Sequence, residues 1–126
     1  MRKSLLVVPL LVAGCQTWGP TWSEVSGASY YHRAIADRQP AIIASIDGAG
    51  VLTPPFKVDP GEHEVGVQSP PHDRFHGSMK TMHLAMAPCK RYYVNAQFAG
   101  RVGPEWEPVV DYVEDVAGCG SNPKSP

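Results

Sequence analysis

Arg91-Tyr92-Tyr93-Val94-Asn95-Ala96-Gln97-Phe98 sets Tyr92, Val94, Ala96 and Phe98 on one side of an extended chain and Tyr93, Asn95 and Gln97 on the other. Successive side chains of a strand point to opposite faces, so this period of two reads as a strand with one covered face. Moving outward, Glu62 to Ser69 repeats the pattern, with His63, Val65 and Val67 pointing one way and Glu64, Gly66 and Gln68 the other. Lys80 to Ala87 places Met82, Leu84 and Met86 on a common face. Trp106 to Val116 is valine-rich, and Pro108, which has no N–H to give a ladder, assigns it an edge position or a bulge near its start.

Earlier in the chain the runs are shorter. Ala41 to Ile46 carries Ile42, Ile43 and Ile46, ends at Asp47-Gly48-Ala49-Gly50, and reads as a strand buried on both faces. Val51 to Thr53 begins a return that Pro54-Pro55 breaks, and Phe56 to Val58 runs into the turn residues Asp59-Pro60-Gly61. Ser29 to Ala36 reads as a strand in preference to a single helical period. With 13 prolines and 12 glycines along 126 residues, few uninterrupted stretches remain for a helix. The expected fold is therefore all-β: one small antiparallel β-sandwich of six to seven strands, immunoglobulin-like in shape.

The N-terminus has a different composition. Met1-Arg2-Lys3-Ser4 is followed by an apolar run from Leu5 to Val12 and by Ala13-Gly14-Cys15, which is the order of a signal peptide. The run is too short to cross about 30 Å of hydrocarbon and carries Pro9. An N-terminal core strand would account for the apolar run, but not for the Arg-Lys start or the small residues before a cysteine. Val12-Ala13-Gly14-Cys15 resembles the lipobox of bacterial lipoproteins, which implies cleavage of residues 1–14 and diacylglycerol on Cys15, with a further acyl chain on its new amino group in many bacteria. Each buried methylene contributes about 0.8 kcal/mol, so two or more chains hold stably. By resemblance to the sorting pattern of didermal bacteria, Gln16 after the cysteine points to the outer membrane, with the domain in the periplasm. Residues 15–21 then form the lipidated cysteine and a short tether, 22–119 the sandwich, and 120–126 a disordered tail. Trp18 and Trp22 suit the headgroup zone, and core packing explains Trp22 equally well.

Two cysteines remain, Cys89 and Cys119, and in an oxidising compartment a disulfide is the default. A hairpin centred on Gly103-Pro104 has partner numbers summing to about twice 104, which sets Cys89 opposite Cys119. The alternatives are poorer. Two cysteines are too few for a metal site, and a reactive thiol would need Lys90 or Arg91 beside it.

The stretch from Ile43 to Gln68 resembles the PEGA domain, a small bacterial sandwich module. Ile46-Asp47-Gly48 looks like its strand-end turn, Thr53-Pro54 like its Thr-Pro step, and Pro60-Gly61-Glu62-His63-Glu64-Val65-Gly66-Val67 like its Pro-Gly turn and His-x-Val-x-Val strand. The chain departs from the family before the first strand, where a Pro-x-Gly-Ala run is missing, and after Val67, where Ser69-Pro70-Pro71 replaces a Gly-Tyr pair. The resemblance covers about a quarter of the mature chain. It implies a fold and an envelope location without a reaction.

Charge excludes some functions. The net charge is -1, and losing Arg2 and Lys3 with the leader leaves nine Lys+Arg against 12 Asp+Glu, or -3, so no basic stripe marks a nucleic-acid partner. His72, Asp73, His76 and His83 are the metal-ligand types present, but their spacing in a Pro-flanked loop matches no ligand motif and solvated loop histidines explain them. No cofactor is expected. No nucleophile stands in Gly-x-Ser-x-Gly and no glycine loop cradles a phosphate. On a regular strand Asp111 and Asp115 share a face opposite Glu114, a solvated acidic edge rather than paired catalytic carboxylates. No catalytic residue is assigned. Tyr93, Trp106 and Tyr112 are the candidates for an aromatic ligand-binding patch, with core packing as the competing explanation. The expected role is a noncatalytic, lipid-anchored periplasmic accessory module of the envelope with a protein or glycan partner. The alternative is a binding protein for envelope glycan such as peptidoglycan, or for a metal ion.

Overall fold

The computed structural model describes residues 21–28, 35–50 and 55–120. The leader, Cys15, Trp18, Thr53-Pro54 and nearly all of the expected strand at Ser29 to Ala36 lie outside the described residues. Ile35 and Ala36 are described and are not in a strand.

The described residues form nine strands and no helix: β1 Ser23–Ser26, β2 Arg38–Pro40, β3 Ile42–Ile46, β4 Ala49–Gly50, β5 Phe56–Val58, β6 Gly61–Gln68, β7 Met79–Met86, β8 Lys90–Phe98 and β9 Trp106–Asp115. They make two sheets, one in the order β4-β3-β6-β7, the other built on β8. One edge of β8 carries β9 along its whole length. The other edge is shared by β1, running parallel, and β2, running antiparallel, and β5 pairs with the far side of β1. The fold is thus a small all-β sandwich. The strand count exceeds six to seven because β1, β2 and β4 are 4, 3 and 2 residues long and carry no alternation.

β1 is the central surprise. Ser-Glu-Val-Ser reads as polar, yet all four residues are buried. Only Val25 faces the core. Burial of the others is tolerated because each polar group has a partner: Ser23 Oγ donates to Ala87 O, Ser26 Oγ accepts from Ala28 N, and Glu24 joins an ionic network described below.

The core lies between the sheets, from Ile43, Ile46, Val65, Val67, Leu84 and Met86 on one side to Val25, Tyr92, Val94, Ala96, Phe98 and Trp106 on the other. Every apolar inward position expected from alternation in β6, β7 and β8 belongs to the core or borders it. β3 is different: it is covered on one face only, and Ile42 is 56% exposed. Ile43 and Ile46 both point inward although three residues apart, because a bulge between Ile43 and Ser45 shifts the register.

The last hairpin has its centre earlier than Gly103-Pro104. Phe98 pairs with Trp106 and Lys90 with Asp115, sums of 204 and 205. Cys89 therefore faces Val116, whose N–H it accepts at 3.0 Å. A tight turn over Val116-Ala117-Gly118-Cys119 then folds Cys119 back onto Cys89, with a disulfide between them and 5.3 Å between their Cα atoms. The backbone at Cys89 is left-handed, φ 60°.

These registers give the sandwich two distinct ends. The start of β1, the Cys89–Cys119 bridge, the end of β5 and the start of β6 gather at one. Loops 69–78 and 99–105 gather at the other.

Candidate functional site

At the loop end, residues 69–78 close on themselves and then onto the hairpin loop. Ser69 N donates to Ser78 O, Ser78 N donates to Ser69 Oγ, and His72 and Phe75 exchange backbone hydrogen bonds. The His72 ring lies flat on Phe98, centroids 3.9 Å apart, and its Nε2 donates to Gly100 O at 2.8 Å. Asp73 accepts from Gly103 N at 3.4 Å. Behind them Trp106, 2% exposed, donates its indole N–H to Ser78 Oγ, and Lys80 Nζ donates to Trp106 O at 2.7 Å.

Beside this junction opens a cleft of about 550 Å³, within the range of small-ligand sites. Lys80, Glu105 and Glu107 bring one cation and two carboxylates to its wall, over a floor that includes Phe98 and Trp106. Such a lining suits a polar ligand held by hydrogen bonds.

The outer face of the β8 sheet carries a continuous ionic network. Glu24, its side chain 5% exposed, accepts from Trp22 Nε1 at 2.8 Å and from Arg91 Nε at 2.7 Å. Arg91 also donates to Glu114 and to Tyr93, whose hydroxyl donates to Glu114 at 2.7 Å. Lys57 sits 4.3 Å over the Trp22 ring. Burial alone would raise the Glu24 pKa, but the Trp22 and Arg91 hydrogen bonds outweigh it and hold the carboxyl below its usual range. Hydrogen bonding to Tyr93 and then Glu24 pushes Arg91 up, and burial followed by the bond to Glu114 raises Tyr93. A second cluster joins Arg38 to Gln97 and Asp111. These groups satisfy one another, and they tie β1, β8 and β9 together.

At the bridged end stands a pair that neither spacing nor charge had singled out. Asp47, in a left-handed turn (φ 54°), accepts from Glu64 N through Oδ1 and faces His63 Nδ1 at 2.6 Å through Oδ2. His63 Nε2 lies 2.5 Å from Asp59 O. Carboxylate and carbonyl both accept, so this geometry favours the form of His63 with hydrogen on both ring nitrogens, the imidazolium. The bond to Asp47 raises its pKa, while the Glu64 amide, then His63, lowers that of Asp47. Neither nitrogen is left to take a proton from a substrate. The signal available was His63 itself, an ionisable residue on the inward face of an alternating strand.

The structure separates the residues of metal-ligand type. His72 and Asp73 are engaged at the loop end, His76 is exposed, and His83 lies on the outer face of the other sheet, 3.9 Å from Glu64. Among the described residues no three His, Cys, Asp or Glu side chains converge on a common point. Tyr93 and Tyr112 are cross-strand partners on the outer face, whereas Trp106 faces the core, so the three do not form one patch. Asp111 does not share a face with Asp115: the β8–β9 register shifts beside it, and Asp111 binds Arg38 while Asp115 pairs with Lys90. Trp22 packs at the bridged end, its carbonyl accepting from Cys89 N at 2.7 Å. Compared with known protein families, curated proteins and solved structures, the chain matches none of them.

Proposed function

We propose that this chain is a noncatalytic, lipid-anchored interaction module of the cell envelope, held at the outer membrane by acyl chains on Cys15 and facing the periplasm. One observation carries the reading: Thr21, which leads into β1, lies beside Gly120 at the bridged end, and loops 69–78 and 99–105 lie at the opposite end. Five residues separate Cys15 from Thr21, and the six steps between the two span at most about 22 Å. The bridged end then stays near the membrane, and the loop end with its cleft is presented away from it. The PEGA-like reading is supported by the bond between Asp47 and His63, which come from its turn and strand motifs.

Cys15→Ser tests the anchor. The wild-type chain is expected in the detergent phase with the mass of a processed, acylated protein, and the variant in the aqueous phase unprocessed. Equal partition and equal intact mass overturn the proposal. The cleft at the loop end favours a second reading, a binding protein for envelope glycan. Sedimentation with isolated peptidoglycan that Lys80→Ala and Glu105→Ala abolish would select it over a protein partner.

A further inference from the structure

Among the described residues two long strands have an open edge, β7 and β9, and they are built differently. Antiparallel neighbours alternate between pairs that exchange backbone hydrogen bonds and pairs that do not. Ala99 N donates to Glu105 O, so Trp106 and Pro108 turn their backbone groups toward the open edge of β9. That edge is guarded: Lys80 takes Trp106 O, Pro108 has no N–H, and the register shift near Asp111 breaks the ladder.

β7 has none of these devices. Its eight pairs with β6 run without a shift. Ser69 N donates to Ser78 O, and by alternation Met79, Thr81, His83 and Ala85 direct their N–H and C=O groups away from β6. Asp47 N donating to Glu64 O agrees, since it places the backbone groups of Glu64 toward β3 and away from His83. Among the described residues β7 pairs with β6 alone, and all four outward residues are exposed.

We propose that the open edge of β7 pairs antiparallel with β7 of a second copy of this chain, centred on Met82, so that two four-stranded sheets become one of eight. The pattern of the edge is self-complementary. In this register Met79 faces Ala85 of the second copy, Thr81 faces its His83, and all four outward residues find partners. Centring on Thr81 leaves Ala85 unpaired, and centring on His83 sets two imidazoles against each other. Lys80 falls opposite Leu84 of the second copy, so no like charges meet. Met79, 53% exposed and lying over Gly66, gains a neighbour in Ala85. A two-fold contact of this kind closes on itself without propagating.

Met82 lies on the axis in a pair without hydrogen bonds, where Cα atoms stand about 4.5 Å apart, within disulfide range. The full chain carrying Met82→Cys, oxidised in detergent, is expected to give a covalent species of twice the chain mass, and Met79→Cys is not. Mixing Met79→Cys with Ala85→Cys copies should restore the crosslink. Thr81→Pro removes a donor only from the open edge, so it should convert a sedimenting dimer to monomer with an unchanged circular dichroism spectrum. Wild-type chain that sediments as a monomer, a dimer that Thr81→Pro leaves intact, crosslinking at Met79→Cys alone, or Met82→Cys captured by a different protein each overturns the proposal.

Discussion

Replacing both Cys89 and Cys119 with Ala removes a link across a sequence separation of 30 residues. In the chain-entropy account, a loop of that size restricts the unfolded chain by about 3.6 kcal/mol at 25 °C, and measured losses generally fall somewhat below such values. The folded state gives part of this back. Nine register pairs already hold β8 to β9, so the ladder survives, and what loosens is the turn at Val116 to Cys119 and the backbone contact of Cys89 with Trp22. The expected loss is about 2 to 4 kcal/mol, a midpoint reduction of roughly 10 to 25 °C for a domain near this size. Urea unfolding of the full chain, followed by tryptophan fluorescence, reads it directly: the midpoint should fall, and the slope should rise modestly because the unbridged denatured chain exposes more surface. A loss below about 1 kcal/mol, or two free thiols in denatured, unreduced wild-type protein, would refute the reasoning.

The Asp47–His63 pair makes stability pH-dependent in a defined window. The raised His63 pKa gives stabilisation that is fully present below 6.5 and is lost as pH rises through the folded value, and the lowered Asp47 pKa gives stabilisation present above 3.8 and lost as pH falls through its own. The melting-temperature difference between wild type and His63→Gln should therefore peak between these values and shrink on both sides; a difference that grows above pH 7 would contradict the imidazolium assignment. Gly27→Ala would set a Cβ 1.9 Å from Ala41 O, a backbone atom that cannot step aside, and should cost about 2 to 3 kcal/mol in denaturant titration; a loss under about 0.5 kcal/mol would mean that the close approach of these two segments is not maintained. Glu24→Gln keeps an acceptor for Trp22 but takes one of two carboxylates from Arg91, with an expected loss of about 1.5 to 3 kcal/mol, and an unchanged unfolding midpoint would show that the network is solvated rather than structural.

What was legible in the chain follows from where its apolar residues alternate. β6, β7 and β8 bury one face against the opposing sheet, so their sequences carry the period directly, whereas β9, buried fully only at Trp106, shows itself through its valines. β1 was invisible because Ser23, Glu24 and Ser26 are buried through hydrogen bonds to Ala87, Arg91 and Ala28, partners that no local pattern announces. In β3 the bulge lets two isoleucines three apart share a face, which imitates a strand covered on both sides. The hairpin centre was misplaced because Gly103-Pro104 stands in the second half of a seven-residue loop, yet the cysteine pair was still matched, since the turn after Val116 makes up the difference. The cleft went unseen because its walls come from β7 and from both strands of the last hairpin, and Trp106 serves as its floor rather than as a platform.

The parallel pairing of β1 with β8 also dictates an order of assembly. Glu24 meets Arg91 across 67 residues, so the first strand of the chain has no ladder to join until nearly all of the domain has followed. Pairings of such long sequence separation close slowly. During that wait an apolar segment would be an adhesive edge, but Ser23, Glu24 and Ser26 keep β1 hydrated until β8 arrives with the guanidinium that Glu24 needs. The polarity that conceals β1 as a strand is thus also what protects the unfinished chain from its neighbours.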